Sequence, residues 1–148
     1  MKLIQSRDNP FFKSLKRLAE SGRERRKTGQ TLLDGVHLVE AYEAAFGPVE
    51  TLIIAESALA SGEIACFVEN RDTVVLADSL LRDLGLVDTP SGLLAVAKMP
   101  TAIAAVNRKK DAILLDGVQD PGNVGTLLRT AAAAGIGQAL LSPGCAAA

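Results

Sequence analysis

Tryptophan is absent and aromatic residues make up only 3% of the 148 positions, so large rings cannot fill a core. Leu, Val, Ile and Ala must do so, and a hydrophobic fraction of 48% makes burying one no difficulty. Such a core suits a layered α/β protein, in which β-branched strands face Leu/Ala helix surfaces. Cysteine is scarce too. Cys66 and Cys145 make neither a disulfide framework nor a metal-ligand spacing, so no metal is expected, and Cys66 reads as a small buried apolar residue. The single histidine, His37, lies beside apolar positions of a predicted helix and reads as packed or surface-exposed, not catalytic. The start of the chain has no apolar h-region, so no signal peptide is visible and the cytoplasm is the expected compartment. Charge is missing altogether from Thr130 to Ala148. Gly135, Gly137, Pro143 and Gly144 interrupt that stretch, which is only marginally long enough to span a bilayer. It reads as the buried part of a soluble fold, with no membrane partner.

What charge there is lies unevenly. The net value of −1 conceals nine basic against three acidic residues in positions 1–30, and two against eleven in positions 31–97. A basic N-terminal segment ahead of an acidic body points to an anionic partner bound at one end.

Strand and helix signals alternate along the chain. Asn9-Pro10 is a helix start, an Asn cap followed by a first-turn proline, and Phe11 or Phe12, Leu15 and Leu18 follow at helical spacing. A short basic segment, Ser21 to Gly29, lies next. Strands are expected over 30–34, 49–55, 73–77 and 92–98. Helices are expected from Val36 to Phe46, from Ser57 to Glu69 with poor patterning, and from Ser79 to Leu84. This order implies an α/β sandwich with a largely parallel sheet. Residues 99–110 read as a linker ending in Arg108-Lys109-Lys110. A second unit, 111–148, holds an apolar strand Ala112–Leu115, a loop Asp116–Gly122, a helix from about Asn123 to Ala134 and a strand Gln138–Leu141, together one βαβ unit.

A strand, a glycine-bearing loop and a helix start form a natural anion site, where bare N–H groups face out and Gly122 and Gly125 allow close approach. The stretch Gly122-Asn123-Val124-Gly125 is not the dinucleotide fingerprint, and no P-loop lysine follows. That weakens an unrelated nucleotide-binding protein as an explanation. Polar content sets the segment apart: Asn123 and Arg129 stand in an otherwise apolar helix, roughly 120° apart around its axis. The plainer reading has Asn123 capping the helix and Arg129 pairing with an acid or reaching solvent.

The run Asp116-Gly117-Val118-Gln119-Asp120-Pro121-Gly122-Asn123-Val124-Gly125, with Arg129-Thr130-Ala131 after it, resembles the first signature motif of the SpoU (TrmH-like) branch of SPOUT RNA ribose 2′-O-methyltransferases. Asn9-Pro10 with Lys13, the Arg-rich segment, Asp34-Gly35-Val36-His37-Leu38-Val39 and Thr89-Pro90-Ser91-Gly92-Leu93-Leu94-Ala95-Val96 resemble that family's small substrate-binding domain. The fold implied is α/β: an L30e-like sandwich over 1–98, then the first βαβ unit of an incomplete SPOUT (α/β-knot) domain.

The resemblance further implies transfer of a methyl group from S-adenosylmethionine to an RNA ribose, in rRNA or tRNA, by a homodimer. Asn123 and Arg129 would be its active-site residues here. A 2′-OH is a very poor nucleophile, and an always-charged guanidinium can hold the adjacent phosphate and stabilise the developing oxyanion. Arginine does not give up its proton in proteins, so Arg129 does not read as the proton acceptor. Asn123 would support the loop and the arginine, and Asp120 reads as a loop brace and not a base. The expected RNA contacts are Arg7, Asn9, Lys13, Lys16, Arg23, Arg25, Arg26 and Lys27, although a charge run can equally be a solvated helix end and no aromatics are interleaved. The family's two cofactor-binding motifs, an Ile-Pro-Met-type and a Ser-Leu-Asn-Val-Ser-type segment, are absent. The chain is therefore expected to be truncated, without a cofactor pocket and inactive alone. The alternative is a non-catalytic L30e-like RNA-binding module.

Overall fold

The computed structural model describes residues 2–87, 89–100 and 105–146, and the chain divides into two compact units, Met1–Thr101 and Ala102–Ala148. Part of the expected 99–110 linker, residues 101–104, lies outside the described residues, as do the last two alanines.

The first unit is built on five strands: β1 Lys2–Ile4, β2 Gln30–Asp34, β3 Thr51–Ala55, β4 Thr73–Leu76 and β5 Leu93–Lys98. Their order across the sheet is β1-β4-β3-β5-β2. The sheet is parallel across β1–β4–β3 and antiparallel across β3–β5–β2. Gln30 pairs with Lys98 and Asp34 with Leu94, so the two antiparallel partners of the second half share a full five-residue register. Strands β3 and β5 are buried almost without interruption, the pattern of strands covered on both faces. Ile53, Ile54, Leu93 and Leu94 form the centre of the core with Leu15, Leu76 and Leu80.

Helix α1, Pro10–Glu20, starts as its sequence predicts: the Asn9 side chain accepts from the Phe11 N–H at 2.9 Å, and Pro10 takes the first turn. It buries Phe12, Leu15 and Leu18. Of the pair Phe11 and Phe12, Phe12 is thus the core residue. The basic segment is itself a helix, α2 Gly22–Thr28, capped by Ser21 and closed by Gly29 at φ 67°. No residue of α2 is buried, so it carries no apolar periodicity that would reveal it. Helix α3 runs from Val36 to Phe46. The expected helix over 57–69 divides into a 3-10 turn, Ser57–Ala60, and α4, Gly62–Val68, with Ser61 in extended conformation between them. Helix α5, Asp78–Asp83, completes the unit.

Cys66 is exposed, which corrects the expectation of burial. Helix α4 buries Ile64 and Val68, four residues apart, and two further residues from Ile64 amount to roughly 200° of turn, which carries Cys66 to the solvent side. Gly92 has a firm steric reason. It sits at φ 89°, and a β-carbon there would stand 2.9 Å from that of Ala58.

The second unit pairs β6, Ala112–Leu115, in parallel with β7, Gln138–Leu141, around helix α6, Pro121–Ala133. Asn107 belongs to this unit: its N–H donates to the Gln138 side chain at 2.7 Å, and its carbonyl accepts back at 2.9 Å. Burial of the charge-free stretch from Thr130 onwards is not what the structure shows. One helix and two strands offer cover on one side only, and Val124, Ala131 and Leu115 take it. Among the described residues from Thr130 onwards only Ala131 is buried and Leu140 stays 36% exposed; ahead of that stretch Leu114 and Leu127 stay 70% and 37% exposed. No described helix is long and apolar enough to cross a membrane.

Candidate active site and basic face

In the second unit, Asp120 and Pro121 set the start of α6. Asp120 Oδ1 accepts from the Asn123 N–H at 2.7 Å, and Pro121 occupies the first helical position. Asn123 is therefore the third helical residue and not the cap. The cap also alters the anion-site reading. Of the first four helical N–H groups, proline has none, that of Asn123 is taken by the Asp120 carboxylate, and that of Val124 by the Asp120 carbonyl at 3.0 Å. The Asp120 carboxylate thus takes one of the N–H groups that a bound anion would use. At the other end, Gly135 at φ 80° closes α6: its N–H bonds back to Ala132 and that of Ile136 to Ala131, a Schellman pair.

Two of the motif's three glycines, Gly122 and Gly125, have steric duties inside the helix. A β-carbon on Gly122 would lie 3.0 Å from Asp120 Oδ1, and one on Gly125 would lie 3.1 Å from Arg129 Nη1. Residues 125 and 129 are one helical turn apart on one face. The guanidinium thus folds back over Gly125, and Nη2 donates to Thr126 Oγ1 at 3.2 Å. Thr126 in turn donates to the Gly122 carbonyl at 2.9 Å. Asn123 and Arg129 are both exposed, and Arg129 has no carboxylate partner among the described residues. The sequence does not single out Thr126; its contact with Arg129 depends on the arginine's folding back, which spacing alone does not dictate.

The loop before α6 is held from the far side of the unit. Ser142 Oγ accepts from the Gly117 N–H at 3.1 Å, the Ser142 N–H reaches the Leu115 carbonyl at 2.9 Å, and the Ala146 N–H reaches the Val118 carbonyl at 2.8 Å. Cys145 Sγ donates to the Leu115 carbonyl at 3.2 Å. The segment after β7 therefore braces the loop that carries Asp120, and Cys145 serves that brace.

The first unit carries the basic residues, and their environments divide them. Arg25 donates to the carbonyls of Leu18 and Ala19 at 2.7 and 3.1 Å, capping the end of α1. Asn9 uses its side-chain oxygen on the start of the same helix. Arg7 pairs with Asp83 at 2.6 Å, Lys13 with Asp8 at 2.8 Å, Lys16 with Glu20 at 3.6 Å and Lys27 with Glu24 at 4.0 Å. The bond from Lys13 holds the Asp8 carboxyl below its ordinary pKa. Arg17, Arg23 and Arg26 have no acidic partner among the described residues. Arg17 is not among the expected RNA contacts, although like Lys13 and Lys16 it lies off the apolar face of α1. His37 is on the surface beside Glu40. Among the described residues no His, Cys, Asp and Glu side chains gather in a group that could hold a metal ion.

Residues 9–95 match the family described as the MRM3-like substrate binding domain. Over 146 residues the chain is 34% identical to the 23S rRNA (guanosine(2553)-2′-O)-methyltransferase RlmP of Bacillus subtilis (strain 168), a match that covers 99% of this chain and 56% of that protein. A crystal structure of an RNA 2′-O ribose methyltransferase superposes with a TM-score of 0.79 at 30% identity, covering 96% of this chain and 56% of its own. The SpoU methyltransferase AviRb of Streptomyces viridochromogenes, in complex with the cofactor AdoMet, shares the fold with a TM-score of 0.79 at 24% identity, over 94% of this chain and 55% of its own. The chain thus spans about half the length of the proteins it matches.

Proposed function

Because the chain belongs to the MRM3-like family of SpoU-type RNA methyltransferases, we propose that it supplies the substrate-binding domain and the first catalytic segment of an RNA 2′-O-ribose methyltransferase that uses S-adenosylmethionine. Residues 1–98 act as the L30e-like RNA-binding domain, 99–110 as the linker and 111–148 as the start of the methyltransferase domain. The substrate in this reading is an rRNA or tRNA met in the cytoplasm, and the working enzyme is a homodimer. The observation that carries the reading is the exposed Arg129 guanidinium, held over Gly125 by Thr126 and without a carboxylate partner among the described residues.

That arrangement suits methyl transfer to a ribose hydroxyl. Loss of its proton builds negative charge on the 2′-oxygen, and that charge would be consumed as the new oxygen–carbon bond replaces the methyl–sulfur bond of the donor, which would leave as a neutral thioether. A positioned guanidinium stabilises that charge and holds the neighbouring phosphate, through several N–H donors at once. A guanidinium does not serve as a base, so at this exposed site the hydroxyl proton would pass to water. Asn123, exposed on the same helix, supports the loop and the approach of the ribose. Asp120 holds the helix start and takes no proton. The 148 residues contain neither of the expected cofactor-binding segments, so by themselves they bind no S-adenosylmethionine and transfer no methyl group.

The test joins these 148 residues to the C-terminal part of the Bacillus subtilis relative and supplies rRNA or tRNA transcripts with S-adenosylmethionine. Nucleosides are then identified by mass spectrometry. A 2′-O-methyl nucleoside is expected. A fusion that binds the cofactor and RNA but yields a base-methylated product, or none, contradicts the reading. The module alternative is favoured by the same outcome if the chain alone still binds RNA.

A further inference from the structure

We propose that the cleft beside α1, bounded by the loop before it and by the end of α5, holds one unpaired nucleotide of the RNA. The inference rests on the reading of the first unit as an RNA-binding domain, and it adds a defined site and a mode of binding. The cleft measures about 530 Å³ and is lined by Arg7, Phe12, Lys13, Lys16, Arg17 and Asp83. That is far more than a phosphate alone fills, and it lies within the roughly 300–1,000 Å³ of small-ligand sites.

Its lining suits a nucleotide: four cations ring it, and the long stems of the lysines and arginines supply apolar surface. Phe12 is only 2% exposed, so its ring closes the floor and offers no free face. The flat surfaces available to a base are the guanidinium planes. Arg7 is steadied by its pairing with Asp83. Arg17 is exposed, without an acidic partner among the described residues, and able to lie along a base. Lys13 is engaged only in an exposed pair with Asp8, and Lys16 in an exposed pair with Glu20 and a long bond to the Asp83 carbonyl at 3.4 Å; such contacts contribute little and exchange readily for a phosphate. A base inside a duplex cannot enter a concave site of this kind. A base splayed from a loop or bulge can.

The experiment measures binding of the 148-residue chain to two RNAs of equal length, a hairpin with an unpaired loop and a continuous duplex, by fluorescence anisotropy. Arg17→Ala and Arg17→Lys are compared with the wild type, and thermal melting confirms that each variant folds. The wild type is expected to prefer the hairpin. Arg17→Ala is expected to weaken hairpin binding about tenfold while leaving duplex binding nearly unchanged. Arg17→Lys keeps the charge and loses the plane, and is expected to bind the hairpin almost as weakly as Arg17→Ala. Full affinity in Arg17→Ala overturns the cleft assignment. Full affinity in Arg17→Lys overturns the nucleotide and leaves only a phosphate contact. A wild-type chain that binds neither RNA overturns the RNA-binding reading beneath it, an outcome distinct from the other two.

Discussion

The guanidinium of Arg129 occupies the space that a side chain on Gly125 would take: Nη1 is 3.1 Å from where the β-carbon would stand. This gives Gly125→Ala opposite effects on stability and on turnover. Gly125 lies inside α6, where alanine is favoured over glycine by about 0.5–1 kcal/mol. The added methyl makes the guanidinium give by a few tenths of an ångström, which loosens its seat over residue 125 and its bond to Thr126. Thermal melting of the variant is expected to show an equal or higher Tm, and the fused enzyme is expected to lose about tenfold or more in methyl transfer. Unchanged turnover would show that the seat of Arg129 is not the working one.

Asp120 distinguishes a brace from a base. As the N-cap of α6 it is expected to contribute about 1 kcal/mol, which Asp120→Ala loses and Asp120→Asn largely keeps. Chemical denaturation of the second unit checks the stability order. Activity of the fused enzyme checks the role: Asp120→Asn is expected to retain most of it. A loss in Asp120→Asn as deep as in Asp120→Ala would make Asp120 a proton acceptor.

Arg25 and its neighbours in α2 are expected to separate cleanly. Arg25→Ala removes two hydrogen bonds to carbonyls at the end of α1 and is expected to cost about 1–2 kcal/mol of stability. Arg23→Ala and Arg26→Ala are expected to leave melting unchanged and weaken RNA binding, with the salt slope falling by about 1 for each phosphate contact removed. An RNA defect in Arg25→Ala at unchanged stability, with none in Arg23→Ala, would reverse the assignment.

How far these assignments could be read from the sequence depended on whether a signal was apolar or polar. Asn9-Pro10 announces α1; the same cap-then-proline pair, Asp120-Pro121, starts α6, although the expected loop runs to Gly122 and the expected helix starts at about Asn123. Helix α2 was missed because it buries nothing and so has no face to repeat. Strand β1 was missed because three residues are too few for an alternation; its place is fixed by pairing with β4. The chemistry of Arg129 was visible as an odd charge in an apolar helix. Its setting was not, because the space above Gly125 and the tie of Gly117 to Ser142 link residues through the fold. Arg25 read as one more cation in a basic run, and only the direction of its side chain shows that it caps α1.

Acid stability should report on Asp78. Its carboxylate accepts from the Ser57 hydroxyl at 2.7 Å and the Ser57 N–H at 3.2 Å, joining the start of α5 to the 3-10 turn. The hydroxyl bond first, and the N–H bond second, hold its pKa below the ordinary 3.8. A depressed folded value means that the stabilisation is fully present above the unfolded pKa and is lost as pH falls through the folded one. Urea midpoints at pH 6 and pH 3 are expected to show wild type ahead of Asp78→Asn, with the gap narrowing at pH 3. A gap of constant width would place the effect outside this carboxylate.

Arg129 is the residue on which the functional account stands. The most direct measurement is the rate of ribose 2′-O-methylation by the fused enzyme with Arg129→Ala, under saturating RNA and S-adenosylmethionine, alongside the affinities for both. Turnover is expected to fall by about 10²–10³-fold, as when an oxyanion-stabilising donor is removed, while both affinities stay near those of the wild type. Wild-type turnover in Arg129→Ala, or a loss wholly explained by weaker RNA binding, would contradict it.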